Sequence, residues 1–387
     1  MRNVLVIATL SAFAFCAPIA AAQSAPAESR QSFDQLLQAA GKARDESRDD
    51  EAIRLYRRAV AQQPESEQGL WFLGTLLYAK EQYPEARDVL RQFMTLRPDA
   101  GPGWAFLGLS EFQTRDYSRA LDHLQHAMAA GMGGRKDLIH SVSVDVVCLL
   151  TRFERYDDSL DILTKMLATG VQQPGLIEPA GLAGLRLPLL PAEIPPDRRD
   201  LVDLAGRAVL AVQMQQYDEA ESELHRLVTA YPNEPGVHFL YGAYLMQSHP
   251  NEAVPELERE LDISPSHVLA RVRLAQQLIV RQDFDRALAL AQQAIQLEPK
   301  RASAHMMAGE ALLAKGQSDD GIKELEIART DDRAGIKTHW DLLRAYAAAG
   351  RKEDANREKQ EIDKLYRSNQ PSGSSAGGDI PQNQAAP

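Results

Sequence analysis

Residues 67–100 read EQGLWFLGTLLYAKEQYPEARDVLRQFMTLRPDA, and the spacing of their apolar and small residues decides the fold. In the first half such residues recur at i, i+3, i+4 and i+7, as on one face of an α-helix. They are Leu70, Leu73, Gly74 and Leu77. Ala86, Leu90 and Phe93 form a similar face in the second half, and Pro98 stops that helix. The stretch therefore predicts two helices joined by a short turn.

The same pair of helices recurs at a step of 33 or 34 residues, with one interruption between Ala120 and Ala220. One marker is an alanine in the second helix, and the other is the proline that ends it. The alanines are Ala52, Ala86, Ala120, Ala220, Ala253 and Ala287, and the prolines are Pro64, Pro98, Pro232, Pro265 and Pro299. Because two independent markers keep one register, the sequence predicts a tandem array of helix pairs.

These positions resemble the tetratricopeptide repeat family, whose pattern places Trp, Leu-Gly, Tyr, Ala, Phe, Ala and Pro at fixed offsets. The matching residues are Ala52, Tyr56, Ala59 and Pro64, then Trp104, Leu107, Gly108, Ala120 and Ala127, then Tyr241 and Gly242, and then Ala287, Ala294, Pro299, Gly309 and Ala328. The resemblance implies an all-α fold, an α-solenoid of about nine helix pairs in two arrays that form a superhelix.

The predicted pairs begin near Phe33, Glu67, Gly101, His140, Leu201, Pro235, Val268, Ala302 and Ile336. The fourth and ninth depart from the pattern, since Val147 and Ser159 replace Gly and Ala in the fourth and Leu343 replaces Gly in the ninth. The register divides the chain into a signal peptide at 1–22, a linker at 23–32, an N-terminal array at 33–169, a Pro/Leu-rich connection at 170–200, a C-terminal array at 201–368 and a disordered tail at 369–387.

The first 22 residues have the features of a secretory signal. Arg2 precedes an apolar run, and the segment ends in the small residues Ala20-Ala21-Ala22, which predicts cleavage before Gln23. A membrane anchor would need about 20 apolar residues without this ending. Cys16 follows Phe15, whereas lipoprotein processing resembles a rule that requires Gly or Ala there. We therefore expect export to the periplasm or the extracellular space.

Composition limits the classes of partner. The chain has 54 acidic and 43 basic residues and a net charge of −11, or about −12 once Arg2 is removed with the signal. Such a surface repels phosphate backbones, so we expect no nucleic-acid partner. Cys148 would be the one cysteine left, which excludes an internal disulfide and predicts a buried thiol.

The connection at 170–200 combines prolines with many leucines. A solvated linker would be more polar, so we interpret the segment as an ordered irregular connection that packs between the arrays. Alternatively, Leu185 to Leu190 lies in the groove as an internal mimic of a ligand. Both interpretations predict that these leucines are buried.

A search for catalytic or metal-binding patterns favours a non-enzymatic protein without cofactor or metal. His123 and His126 share a helical face but lack the Glu of a His-Glu-x-x-His motif, so a surface position is favoured over a metal site. The run from Gly131 to Lys136 lacks the glycine spacing of a phosphate loop and is interpreted as a turn.

The resemblance also implies a ligand groove along the first helix of each pair, on the concave side. The predicted lining is Trp71, Thr75, Tyr78, Leu109, Phe112, Phe239, Met246, Gln276, Met306 and Glu310. Chaperone-binding members clamp a carboxylate with Lys and Asn, which Trp71 and Thr75 do not provide. Alternatively, any of these side chains packs against a neighbouring repeat.

The predicted function is that of a scaffold or adaptor outside the cytoplasm, which binds a peptide or helix of a protein partner in this groove. The alternative is an accessory or regulatory subunit of an envelope enzyme or of a secretion or assembly complex.

Overall fold

The computed structural model describes residues 31–168, 174–330 and 335–368. Within these ranges the regular structure is helical, with no strand. The α-helices are α1 Phe33–Asp45, α2 Asp49–Gln62, α3 Glu67–Ala79, α4 Tyr83–Leu96, α5 Gly101–Gln113, α6 Tyr117–Ala130, α7 Lys136–Arg152, α8 Tyr156–Ala168, α9 Ile177–Gly184, α10 Arg199–Gln213, α11 Tyr217–Ala230, α12 Val237–Ser248, α13 Pro250–Ile263, α14 Val268–Val280, α15 Phe284–Leu297, α16 Ala302–Ala314, α17 Ser318–Arg329, α18 Gly335–Ala348 and α19 Lys352–Ser368. Short 3-10 turns occupy Pro174–Leu176, Pro191–Glu193 and Pro196–Arg198. The predicted signal segment and tail lie outside the described residues.

The helices follow one another as nine pairs, from α1–α2 to α7–α8 and from α10–α11 to α18–α19, within the described part of the chain. This confirms the predicted all-α fold and its helix pairs. The fourth pair begins at Lys136, four residues before the predicted His140. No described helix combines the length and the apolar character needed to cross a membrane.

The chain forms two compact units, the first ending at Asp116 and the second beginning at Tyr117. The first contains α1 to α5, and the second contains α6 to α19. The predicted arrays at 33–169 and 201–368 are defined by repeat register rather than by compactness, and they stay predictions.

Eight of the nine described helix pairs are closed by a tight turn whose central residue has a positive φ, and the exception is α12–α13, where His249 has φ −137°. In the pair α3–α4 this residue is Glu81, with φ 59°. Its N–H donates to Tyr78 O at 2.9 Å, and the next N–H donates to Leu77 O at 2.9 Å, so the last carbonyls of α3 are satisfied. Ser47 and Arg115 occupy the same position 34 residues before and after Glu81. The period of the sequence is thus also the period of these turns.

Inside a regular pair the two helices meet through side chains. A Cβ added at Gly74 of α3 would lie 2.7 Å from Leu90 Cγ of α4. Leu70, Leu77 and Leu90 are fully buried in the core of the first unit, together with Tyr56. The small residue at 74 therefore makes room for a leucine, as the sequence pattern indicates.

The predicted connection is not irregular throughout, because it contains α9. Pro179 lies in the first turn of this helix, where a missing N–H breaks no helical hydrogen bond. Gly181 and Gly206 let α9 and α10 approach closely, since a Cβ at either position would lie 2.0 Å from a backbone oxygen of the other helix. Leu185 and Leu190 are buried and Leu187 and Leu189 are partly buried, as both interpretations of the segment require.

Candidate partner-binding surfaces

Five predicted groove residues belong to the first unit, where aromatic rings bring two of them together. The Phe106 ring lies 5.8 Å from Trp71 and 5.3 Å from Tyr78, measured between ring centroids. Thr75 Oγ1 donates to the carbonyl of Trp71 at 2.9 Å. Leu109 is buried, whereas Trp71, Thr75, Tyr78 and Phe112 are half-buried. The aromatic side chains thus join α3 to α5 and still expose part of their surface.

The other five predicted residues belong to the second unit. Phe239 is buried, and its ring lies 4.5 Å from the ring of His267. Met246, Gln276, Met306 and Glu310 are half-buried. Met246 and Met306 pack against the same apolar cluster, which centres on α14.

Glu310 is the charged member of the predicted lining. Its carboxylate forms an ion pair with Lys337 at the start of α18. Burial raises the pKa of Glu310, and Lys337 acts in the opposite direction. For all ten positions, both the predicted binding role and the alternative packing role stay predictions.

A buried carboxylate fixes the start of α12 and with it the position of Phe239. Glu260 is fully buried, and it accepts hydrogen bonds from the N–H groups of Gly236 at 2.9 Å and Phe239 at 3.2 Å. Burial raises the pKa of Glu260, and these hydrogen bonds oppose the rise. A carboxylate at a helix N-terminus satisfies donors that have no partner inside the helix.

Polar side chains join successive repeats across the proline loops, and sequence reasoning missed them. His305 Nε2 lies 3.0 Å from Pro299 O, and its Nδ1 lies 2.6 Å from Glu324 Oε2. His238 repeats the arrangement with Pro232 and Glu256. In the first unit Trp104 Nε1–H donates to Pro98 O at 2.9 Å. The available signal was a ring with a polar nitrogen six residues after the proline.

Sequence reasoning also missed a cleft of about 870 Å³ in the second unit. It lies between the turn that joins α7 to α8, the end of α9 and the loop that joins α15 to α16. Its charged lining includes Glu154, Asp157, Arg186 and Arg301. These residues come from repeats that are distant in sequence, so no local pattern indicates the cleft.

The other residues considered for catalysis or metal binding lie on helices and turns. Within the described residues there is no group of three or more His, Cys, Asp or Glu side chains that could hold a metal ion. His123 and His126 lie on α6. The run from Gly131 to Arg135 forms the turn predicted before α7, with positive φ at three glycines, and Lys136 is the first residue of the helix. Cys148 is buried, as predicted, and burial raises the pKa of its thiol.

Comparison with known proteins supports the repeat assignment. Models of the tetratricopeptide repeat match residues 43–102, 73–134 and 278–336. No curated protein sequence matches the chain.

Similar solved structures are those of MamA. A structure of MamA from residue 41 to its end, from Desulfovibrio magneticus RS-1, is 20% identical, covers 45% of this chain and 98% of its own, and has a TM-score of 0.40. A MamA RS-1 ArsTM double mutant is 20% identical, with 44% and 96% covered and a TM-score of 0.40. At these scores the likeness carries no further argument. The repeat models cover less than half of the chain, and they show that it contains tetratricopeptide repeats at 43–134 and 278–336.

Proposed function

We propose that this chain is a non-enzymatic scaffold that works outside the cytoplasm and binds a peptide or helix of a protein partner along its first helices. Tetratricopeptide repeats mediate interactions between proteins, which supports the general role. The observation that carries the proposal is the set of half-buried aromatic and methionine side chains on the first helices. Such side chains combine stable packing with an apolar contact surface.

The ionisable groups with perturbed pKa values favour a structural role over catalysis. Burial raises the pKa of Asp145 to about 7 and lowers that of His267 to about 4. Asp145 lies on α7, whereas His267 accepts a hydrogen bond from Ala270 N–H at 3.2 Å as the cap of α14. Burial inside helix packing accounts for these shifts without a reaction site.

Export is the part of the proposal that rests on the sequence of residues 1–22. Its test is expression of the full chain in a bacterial host, followed by cell fractionation and N-terminal sequencing. We expect a mature chain that begins at Gln23 in the periplasm or the medium. A cytoplasmic chain that retains Arg2 would contradict export.

The binding role is tested by capture of partners from envelope extract. The groove variant combines Trp71→Ala, Phe112→Ala and Met246→Ala, and leaves Phe239 intact because it is buried. The matched control combines Tyr217→Ala, Ile327→Ala and Tyr366→Ala, which remove exposed apolar side chains from second helices.

We expect a specific partner to be captured by the intact chain and the control and lost by the groove variant. Circular dichroism should first show that all three proteins are equally helical. Equal capture by the groove variant would contradict binding along the first helices. A captured enzyme whose activity falls without this chain would favour the accessory-subunit alternative.

A further inference from the structure

The guanidinium of Arg186 lines the cleft in the second unit and donates no hydrogen bond to a described residue. Arg186 follows α9 in a turn with φ 56°, closed by Arg186 N–H to Ala183 O at 3.2 Å and Leu187 N–H to Leu182 O at 2.9 Å. Its guanidinium carbon lies 4.3 Å from the centroid of the Tyr156 ring, which fixes the side chain by a cation–π contact. Only 18% of the side chain is exposed.

Asp157 forms an ion pair with this guanidinium, but none of the described residues accepts a hydrogen bond from it. The carboxylate of Asp157 is 3.6 Å from Nη1, too far for a hydrogen bond, and across residues 31–168, 174–330 and 335–368 Arg186 has no hydrogen-bond acceptor. The other arginines of the cleft differ, since Arg301 donates to Glu298 at 2.7 Å and Arg155 donates to Asp158 at 2.7 Å. The nitrogens of Arg186 are not among the fully buried polar atoms without a partner, so water reaches them, and an anionic ligand would replace that water with direct charge-assisted hydrogen bonds.

Arg155, Lys300 and Arg301 are the other cations of the cleft, and Arg301 is the one whose charge acts on Arg186. Arg301 lines the same cleft from the loop before α16. Burial lowers the pKa of Arg186, and the charge of Arg301 acts in the same direction. Asp157 and Glu298 offset part of this repulsion, and an anion between the two guanidinium groups would offset it further.

An adjoining cavity of about 440 Å³ shares Arg186 and Arg301 with the cleft. It is also lined by Ser264, Ser266 and His267. The Nδ1 atom of His267 accepts a hydrogen bond, which assigns the remaining proton to Nε2. Glu260 Oε1 is 3.9 Å from Nε2, too far to accept that proton. The adjoining cavity therefore adds neutral donors beside the two cations.

The rim of the cleft selects the class of anion. Four carboxylates line it beside four cations, so their charges balance and the cleft offers no positive surface to a polyanion such as a nucleic acid. The carboxylates are those of Glu154, Asp157, Asp158 and Glu298, and the cations are those of Arg155, Arg186, Lys300 and Arg301. A single carboxylate is planar and matches the two parallel donors of a guanidinium. Asp157, Asp158 and Glu298 already pair with arginines, so Glu154 is the carboxylate of the rim that would accept an amide N–H of the same ligand. A volume of about 870 Å³ holds several residues of an extended chain.

We propose that this cleft binds a peptide segment of a protein partner through one carboxylate, which Arg186 holds with the help of Arg301. The inference rests on the proposed function, since it names a second contact for the partner. It concerns a different surface, because Arg186 and Arg301 stand outside the ten predicted groove positions.

The test uses the intact chain and three arrays of N-acetylated random octapeptides. The first array has free C-termini and no Asp or Glu, the second has amidated C-termini and one central Glu, and the third is amidated without acidic residues. We expect the chain to bind the first or second array above the third. The array that binds identifies the source of the carboxylate, a C-terminus or a side chain.

Arg186→Gln should lower the affinity of the bound peptides at least tenfold, because it removes the charge and most of the donors. Arg226→Gln is the matched control, since Arg226 is exposed and pairs with Glu223 on α11 away from the cleft. If Arg186→Gln proves less helical, Arg301→Gln replaces it, and sodium acetate should compete with the peptides better than sodium chloride at equal ionic strength.

Equal binding to all three arrays, or equal affinity of Arg186→Gln and the unmodified chain, would overturn the proposal. That outcome is separate from failure of the proposed function. If the groove variant loses the partner and Arg186→Gln keeps it, the proposed scaffold function stands and the cleft is not part of the binding site. If Arg186→Gln loses peptide binding and the groove variant still captures the partner, the cleft stands as a binding site and binding along the first helices is contradicted.

Discussion

Two helix contacts in this protein look similar in sequence and differ in physics. In α3–α4, Gly74 makes room for the side chain of Leu90, and a Cβ there would lie 2.7 Å from Leu90 Cγ. In α9–α10, Gly206 faces backbone, and a Cβ would lie 2.0 Å from the carbonyl oxygen of Ile177. A side chain can rotate away from an added methyl group, but a helix backbone can only move as a whole. Glycine is therefore a preference in the regular repeat and a requirement in the α9 crossing.

The largest expected effect tests this difference directly. Gly206→Ala should lower the free energy of unfolding by about 3 kcal/mol, because α9 and α10 must separate. The measurement is urea denaturation followed by circular dichroism. Gly175→Ala is the control, since a Cβ at that position meets no atom within 4 Å. The comparison fails if Gly206→Ala is no more harmful than the control.

The regular repeats are also joined by side-chain hydrogen bonds across their proline loops. His305→Ala should cost about 2 kcal/mol of unfolding free energy, because it leaves Pro299 O and the Glu324 carboxylate without their partner. His249→Ala removes an exposed ring and should have little effect in the same urea titration. Equal effects would show that the histidine bonds do not hold the repeats together.

Helix packing near α9 also buries part of the carboxylate of Asp145. Asp145 lies on α7, which contacts α9, and burial raises its pKa from 3.8 to about 7. The folded protein therefore keeps a proton that the unfolded chain has released. The contribution of this retained proton to the free energy of unfolding is complete below pH 3.8 and is lost as the pH rises through about 7.

Asparagine resembles the protonated acid at every pH, so the stability of Asp145→Asn relative to the unmodified chain should increase with pH. From pH 5 to pH 8 we expect a relative gain of about 2 kcal/mol in urea denaturation. Asp161→Asn replaces an exposed carboxylate that pairs with Lys165, and it should show no such trend. A gain that does not change with pH would contradict the raised pKa.

Gly74→Ala sharpens the opening comparison at a regular pair. The added methyl group crowds Leu90, but the leucine can shift and alanine favours the helix, so we expect a loss of about 1 kcal/mol. The same denaturation assay should place it between Gly175→Ala and Gly206→Ala. A loss as large as that of Gly206→Ala would mean that the two contacts are equally rigid.

The smallest effect concerns the turns that both regions share. Gln282 has φ 64° in the turn between α14 and α15, whereas glycines 316 and 350 hold the equivalent turns with φ 79° and 72°. Gln282→Gly should therefore raise the free energy of unfolding by about 0.5 kcal/mol, since glycine adopts this conformation without steric cost. The reverse change, Gly316→Gln, should lower it by a similar amount. Shifts in the same direction would contradict a shared turn geometry.

The regular repeats could be predicted because each marker acts locally. Leu70, Leu73 and Leu77 lie on one face by helical spacing, and Pro98 stops its helix through its own ring. The fourth pair was placed less well, since Val147 and Ser159 depart from the repeat pattern. The groove residues were predicted only as positions, because exposure on a first helix depends on the next repeat. Phe239 illustrates this, since the ring of His267 from that repeat covers it.

The segment around α9 was harder to predict because its prolines and glycines favour irregular structure when read locally. Gly181 favours a helix only once α10 lies close enough to require it. The bonds of His305 likewise depend on Glu324, which lies on the second helix of the same pair.

By itself, the sequence determined the helix pairs and their period, because helical periodicity and turn residues act over a few neighbours. Only the tertiary structure decided that Gly206 packs against Ile177 and that Arg186 and Arg301 line one cleft. Those contacts join residues that are far apart along the chain. They form only after stacked repeats fix the distance between them, and no local pattern encodes that distance.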